Sequence, residues 1–292
     1  MTTGLIRFNP ETDLFRGRMD RLFNQMLNAP WSAAQTEDVT NRGFLPAVDI
    51  RETPEKLVIS AELPGLDKKD VDKAMAKRIV QSAGVRTPRF AVVSSLAEVE
   101  SVDLAFPMFA KPIAEGTGKG VDHRSRIDGP TQLRQVCRDL LERFRGPVLV
   151  EEYLPGREFT TAILGTGPAA EVLGTMEFTI AAGAPAADYS YEVKEQCASY
   201  VQYFEMPRGA LRDEVEALSL AAYRALECRD TGRVDVRLDA QGQPCFIEIN
   251  PLPGLAPGYS DYPMLAEFSG VSYNDLVLSV LRAGASRCGI TL

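Results

Sequence analysis

Hydrophobic and polar positions alternate most regularly over residues 233–250. Val234, Val236 and Leu238 point one way, and Arg233, Asp235 and Arg237 point the other. On the following run Cys245, Ile247 and Ile249 share one face, and Phe246, Glu248 and Asn250 share the opposite one. The stretch from Asp239 to Pro244 carries the turn signals, so the two runs predict a hairpin folded about Gln241 and Gly242. In that register Val236 meets Ile247, Val234 meets Ile249, Asp235 meets Glu248 and Arg233 meets Asn250. One face is apolar. The other holds two carboxylates, an amide oxygen and a guanidinium. Facing carboxylates repel unless a cation lies between them, and oxygen ligands on a rigid frame suit Mg²⁺. The bland alternative is an amphipathic hairpin whose polar face is solvated.

Elsewhere the periodicity predicts further elements. A helix is expected over Lys73–Ala83, with Ala76, Ile79 and Val80 on one side, followed by a strand over Phe90–Val93. Ser94–Glu100 reads as a short capped helix, Phe106–Pro112 as a buried strand, Thr131–Phe144 as a helix and Val148–Tyr153 as a strand. Phe159–Leu164 and Ala170–Ile180 read as two more strands. Leu211, Val215, Leu218, Ala222 and Leu226 form the stripe of a long helix, and a last helix runs from Tyr273 to Ala283. Mixed antiparallel strands with helices on one side give an α+β fold.

Composition narrows the function classes. A chain of 292 residues with a net charge of −8 allows one or two domains and a substantial core. The acidic balance and the lack of a basic block argue against a nucleic-acid partner. No apolar run is long enough for membrane insertion, and the N-terminus carries no signal pattern. Five scattered cysteines without a C-x-x-C pair fit a reducing cytoplasm. The lone His123 sits in a polar loop and excludes mechanisms that need two histidines.

Three further stretches carry candidate chemistry. Lys111 ends a strand and precedes Glu115-Gly116-Thr117-Gly118-Lys119-Gly120, where glycines allow backbone N–H groups to approach phosphates. Alone such a loop is no more than a flexible turn. Glu151-Glu152-Tyr153-Leu154, with Glu158 shortly after, puts carboxylates and backbone groups at a strand end, where they can read an adenine edge and hold ribose hydroxyls. Lys194 can reach a terminal phosphate. Taken singly, the acids read better as surface charge, and Lys194 as no more than a surface lysine.

The first 72 residues differ in kind from the rest. Phe15, Met19, Leu22, Phe23, Met26 and Leu27 make a helical stripe, a polar linker runs from Ser32 to Gly43, and two strand-like runs cover Pro46–Thr53 and Lys56–Gly65. Met19–Phe23, Leu45–Ile50, Ala61–Gly65 and Lys69–Val71 resemble the N-terminal arm and first strands of a small heat-shock protein of the α-crystallin family. The remaining sandwich strands of that family are absent, so the segment is a truncated one.

The rest, from about Val71 to Gly289, resembles an ATP-grasp enzyme of the D-alanine–D-alanine ligase family. The resemblance rests on Asp72–Lys77, Phe106–Pro112, Glu115–Gly120, Glu151–Glu158, Tyr191–Lys194, Gly232–Val236 and Glu248–Gly254, in that order. It implies a lead-in over residues 73–104 and an ATP-grasp catalytic domain over 105–292. Residue by residue, it implies that Lys73 and Lys111 contact phosphates and that Glu115, Gly116, Thr117, Gly118 and Gly120 belong to the loop above them. Glu151, Glu152, Tyr153 and Leu154 would hold adenine, Glu158 ribose, and Lys194 the γ-phosphate. Asp235, Glu248 and Asn250 would ligate Mg²⁺ (or Mn²⁺). Arg233 and the Gly254 amide would stabilise a developing oxyanion, and Ser260 would lie near the second substrate's carboxylate.

The implied activity is ATP-dependent carboxylate–amine ligation through an acyl phosphate, with small amino-acid substrates, a cytoplasmic location, a role in peptidoglycan precursor synthesis, and a homodimer. Ligation of another amino or hydroxy acid is the alternative within the fold; a chaperone-like binding protein, resting on residues 1–72, is the alternative outside it. The chain departs from the family at Glu195, where a tyrosine is usual, at Thr117, where a serine is usual, and over Leu255–Pro263. No counterpart of the family's N-terminal substrate domain is visible.

Overall fold

A computed structural model describes residues 47–53, 56–62, 72–115, 118–180 and 201–290. It divides into two compact units, one over residues 1–66 with 291–292 and one over 67–290. The arm helix, Gly116, Thr117, Lys194 and Glu195 lie outside the described residues.

In the first unit, β1 (Ala47–Thr53) pairs antiparallel with β2 (Lys56–Glu62), from Ala47 opposite Glu62 to Thr53 opposite Lys56. Both strand-like runs expected there therefore pair with each other.

The second unit is built on two antiparallel sheets. Its elements are α1 (Lys73–Ser82), β3 (Phe90–Val93), β4 (Met108–Pro112), β5 (Arg126–Ile127), α2 (Pro130–Phe144), β6 (Val148–Glu152), β7 (Glu158–Leu164), β8 (Glu171–Ile180), β9 (Val201–Glu205), α3 (Ala210–Ala225), β10 (Thr231–Leu238), β11 (Pro244–Asn250), α4 (Asp261–Phe268) and α5 (Tyr273–Arg287). The smaller sheet has the order β3-β6-β4-β5 and the larger β11-β10-β7-β8-β9. β3 is thus an integral edge of the smaller sheet, and the lead-in expected over 73–104 belongs to the same compact unit as residues 105–290.

Strand alternation sorts each sheet into two faces. On the smaller sheet Ala110, Val148 and Val150 join Leu133, Val136 and Leu140 of α2 in one core, while Phe109, Lys111, Leu149 and Glu151 point the other way. On the larger sheet Phe159, Ile163, Val234 and Val236 pack with Val215, Ala222 and Tyr223 of α3. Ala162 and Met176, on the opposite face, pack with Tyr262, Leu265 and Ala266 of α4 and Leu276 of α5. Helices therefore cover both faces of the larger sheet, where the sequence pattern pointed to one. With both faces covered, β7 is buried at every position from Phe159 to Ile163, including Thr160 and Thr161.

Three details of local structure differ from the sequence reading. The hairpin register holds at Arg233–Asn250, Val234–Ile249 and Asp235–Glu248, but then shifts, so that Val236 pairs with Phe246 and Arg237 with Cys245. Ile247 is the extra residue of a bulge. The bulge turns Phe246 onto the apolar face, where it is fully buried, and leaves Glu248 and Asn250 on the polar one. In α1 the buried residues are Ala74, Lys77 and Val80, while Ile79 is 38 % exposed. The buried stripe contains a lysine because that lysine has an ionic partner inside. A 3₁₀ turn over Glu98–Ser101 stands where a capped α-helix was expected; Glu98 accepts hydrogen bonds from the Ser94 N–H and the Ser95 hydroxyl.

Candidate active site

The Lys111/Glu151 face of the smaller sheet and the Arg233/Asp235 face of the larger one border a cavity of about 650 Å³, a size that suits a nucleotide-sized ligand. Of the residues singled out in the sequence, Lys73, Lys111, Glu115, Gly118, Glu151, Glu152, Tyr153, Leu154, Glu158, Arg233, Asp235, Glu248 and Asn250 all line it. Gly120, Gly254 and Ser260 do not.

The cationic end is assembled by α1, β4 and β6. Asp72 caps α1 by accepting from the Ala74 and Met75 N–H groups, which sets the helix start. Lys73 and Lys77 follow one turn apart. Lys73 Nζ donates to the Ile113 and Glu115 carbonyls, tying the helix to the chain that leads into the glycine loop. Lys77, fully buried, forms an ion pair of 2.6 Å with Glu151, and Lys111 forms one of 2.8 Å with the other oxygen of the same carboxylate. Lys77 also donates to Thr87 Oγ1 (2.9 Å) and the Phe246 carbonyl (3.3 Å), so it ties α1 to β11 as well as to β6. Burial alone would raise the Glu151 carboxyl; Lys111 and Lys77 overcome it and bring it down to about 2. Burial lowers Lys73 and Lys77. It works against Lys111 too, but Glu151 and Glu248 raise that ammonium above its ordinary value.

This arrangement corrects one expectation. The Glu151 carboxylate is not presented to an adenine edge; both its oxygens are held by lysines. The backbone beyond it is positioned separately, with the Glu152 N–H donating to the Arg89 carbonyl and the Tyr153 N–H to the Pro107 carbonyl. The Tyr153 ring stacks on Phe109 at 6.4 Å, and the Arg126 and Arg237 guanidiniums lie 4.9 and 5.2 Å from its centroid. Glu158 pairs with Arg237 at 3.5 Å. Phe109, Met176, Phe178 and Tyr203 supply apolar wall.

Among the described residues of the glycine loop, Gly120 admits no side chain. Gly120 has φ +81°, and a Cβ there would lie 2.5 Å from the Pro112 ring, so Gly120 lets the loop fold back over β4.

The anionic end lies on β10 and β11. Asp235 and Glu248 face each other, with Arg233 opposite Asn250 on a neighbouring rung. Arg233 donates through Nε and Nη2 to the two oxygens of Asp235 (3.1 and 2.9 Å), and Thr160 Oγ1 donates to Asp235 at 3.0 Å. Burial pushes the Asp235 carboxyl up, Arg233 pulls it back and the facing Glu248 adds to the rise, leaving it above its ordinary value. Burial acts upward on Glu248 as well, but Lys111, Lys73 and Arg233 hold it below. Among the described residues no group of three or more His, Cys, Asp or Glu side chains is disposed to hold a metal ion. The donor set is two carboxylates and one amide oxygen, all hard oxygen ligands. It is incomplete by itself and is of the kind that phosphate oxygens complete.

Ser260 is the residue before α4; its hydroxyl accepts from the Ala256 N–H, and it stands so close to Gly254 that a Cβ there would lie 2.6 Å from Ser260 Oγ. Next to it Asp261 lines the cavity and accepts from Arg233 Nη1 at 2.5 Å. Lys77 and Asp261 are the residues sequence reasoning missed. The first had a signal, two lysines at i and i+4 behind a cap residue. The second had none: no element was expected over residues 255–268, where α4 opens with Pro263 in its first turn, a position that tolerates proline.

The family model described as "D-ala D-ala ligase C-terminus" matches residues 79–282. The chain belongs to that family. It is 36 % identical over 222 residues to a D-alanine–D-alanine ligase of Bordetella petrii, an alignment covering 74 % of this chain and 65 % of the relative. It therefore spans a little under two thirds of that relative's length. Among solved structures, the VanG D-Ala:D-Ser ligase from Enterococcus faecalis superposes with a TM-score of 0.60 at 22 % identity, covering 73 % of this chain and 61 % of that one. The Bacillus anthracis D-alanine–D-alanine ligase complexed with ATP gives 0.56 at 23 % identity, covering 74 % and 68 %. The second unit thus has the ATP-grasp fold of these ligases, α+β with two sheets. No helix among the described residues is long and apolar enough to cross a membrane.

Proposed function

We propose that the chain is an ATP- and Mg²⁺-dependent carboxylate–amine ligase of the D-alanine–D-alanine type, working in the cytoplasm on peptidoglycan precursors as a homodimer. The observation that carries this reading is the opposed charge across one cavity: Lys73, Lys111 and the glycine loop on one side, and the facing Asp235/Glu248 pair with Asn250 and Arg233 on the other.

Lys73 and Lys111 hold phosphate oxygens of ATP, next to the glycine loop to which Gly118 and Gly120 belong. Lys194 reaches the γ-phosphate. Backbone groups of Glu152, Tyr153 and Leu154 read the adenine edge, and Glu158 holds ribose. Glu151 positions Lys111 instead of touching the base. Asp235, Glu248 and Asn250 hold Mg²⁺ (or Mn²⁺), which when bound neutralises phosphate charge and polarises the oxygens around the transferred group. A substrate carboxylate oxygen attacks the γ-phosphorus and ADP leaves. The amine of the second amino acid then attacks the acyl carbon, and inorganic phosphate departs. Arg233 and the Gly254 N–H stabilise the oxyanion of that step, and Ser260 lies beside the second substrate's carboxylate. Positioning and charge neutralisation carry the reaction without a protein nucleophile.

Purified chain incubated with Mg-ATP and D-alanine should release inorganic phosphate in step with the dipeptide. Phosphate release that requires a different amine, in a screen of amino and hydroxy acids, would move the assignment to another ligase of this fold. No release with any pair would overturn it.

A further inference from the structure

Arg233 is a pivot between two carboxylates that stand on different elements. Its side chain is 12 % exposed, and those of Asp235 and Asp261 are 13 % and 9 % exposed. Nε and Nη2 go to Asp235 on the same strand; Nη1 goes to Asp261 in the first turn of α4. Asp235 already accepts three hydrogen bonds, two from Arg233 and one from Thr160. A cation seated between Asp235 and Glu248 must take at least one of the Asp235 oxygens, and it repels the adjacent guanidinium. Arg233 is then a competitor for a metal ligand. It is also a group that must not leave, because its charge serves the oxyanion. Asp261 resolves the conflict: it stands off the β10/β11 rung, on the side of Arg233 reached by Nη1, and offsets the charge that the metal would otherwise face.

We propose that Asp261 is a positioning residue that retains Arg233 in the site when a divalent cation claims Asp235. The inference rests on the metal-dependent reading above. It gives the cavity a carboxylate whose purpose is neither to bind the metal nor to touch substrate. Without Asp261, Arg233 has only Asp235 to pair with, and the arginine and the cation compete for the same oxygens.

The test is Mn²⁺ binding by the full chain in the presence of a non-hydrolysable ATP analogue, followed by the loss of the free Mn²⁺ resonance. Wild type should bind; if it does not, the metal-dependent reading fails and not this inference alone. D261N should weaken Mn²⁺ about tenfold, and D261E should stay within about threefold of wild type. R233Q, which removes the competitor, should bind Mn²⁺ at least as tightly as wild type, and D261N should add no weakening in that background. D261N binding Mn²⁺ like wild type overturns the proposal, whether or not its melting temperature falls, since Asp261 would then only tether α4. An undiminished D261N effect in the R233Q background also overturns it, because the carboxylate would be acting through its own charge. If D261N does not fold, R233Q decides: weaker Mn²⁺ binding by R233Q contradicts the competition on which the inference stands.

Discussion

The two ends of the cavity carry inverted versions of one arrangement. At the first, two lysines (Lys77, Lys111) pair with one carboxylate, Glu151, and a third, Lys73, feels its charge from farther off. At the second, three carboxylates (Asp235, Glu248, Asp261) surround one guanidinium, Arg233. In both, the minority charge holds two partners of opposite sign, and one partner in each set is a residue assigned to ligand. In the proposed function Lys111 is shared between Glu151 and phosphate, and Asp235 between Arg233 and metal. The difference lies in the second partner. Lys77 is sealed in the interior and also bonds Thr87 and the Phe246 carbonyl, so it is part of the scaffold. Asp261 lines the cavity. The cationic end should therefore be read out mainly in stability, and the anionic end mainly in ligand binding.

The largest stability effect should come from Glu151→Gln. It leaves two buried ammonium groups without their paired carboxylate, with only the more distant Glu248 to offset them, and should cost about 3–5 kcal/mol in urea unfolding. A loss below 1 kcal/mol would mean the lysines are compensated by groups other than Glu151. Lys77→Met should cost less, about 2 kcal/mol, because Glu151 keeps Lys111 and the methionine fills most of the lysine's volume. If Lys77→Met equals Glu151→Gln in cost, the two lysines are not interchangeable partners and the comparison breaks.

Acid should dissect the same end more gently. The Glu151 carboxyl lies at about 2 in the folded state against 4.5 as its ordinary value. Its folded value is depressed, so its contribution is fully present above about 4.5 and is lost as pH falls toward 2. The urea midpoint should decline between about pH 5 and pH 2 by more in wild type than in Glu151→Gln. Parallel declines would show that other carboxylates carry the acid sensitivity.

How much of this could be read from the chain depends on what each element needed from its neighbours. The β10/β11 hairpin was legible near the site because alternation is a local property: three rungs, including Asp235 opposite Glu248, stand as the pattern implies. The bulge at Ile247 was not, because no glycine or other local mark distinguishes the residue that falls out of register. Phe246 therefore changed faces without warning. On α1, hydrophobicity favoured Ile79 over Lys77 for burial, and the structure reverses them; a buried lysine is understandable only with Glu151 in view, and Glu151 is far away in sequence. The strand β9, Val-Gln-Tyr-Phe-Glu, and the helix α4 were missed for different reasons. β9 is a short edge strand with a weak pattern, and α4 opens with a proline in its first turn. Most of the cavity-lining positions named from motif order do line the cavity, whereas the partners that hold them in place were not legible.

On the proposed function, the Asp235/Glu248 pair gives the cavity a metal-dependent affinity for ATP. That dependence is tested most directly by calorimetric titration of a non-hydrolysable ATP analogue into the full chain, with and without Mg²⁺, for wild type, Asp235→Asn and Glu248→Gln. Binding should tighten with Mg²⁺ in wild type, and each variant should lose about 100-fold or more of that enhancement. Equal affinity with and without Mg²⁺, or variants that respond to Mg²⁺ as wild type does, would contradict it.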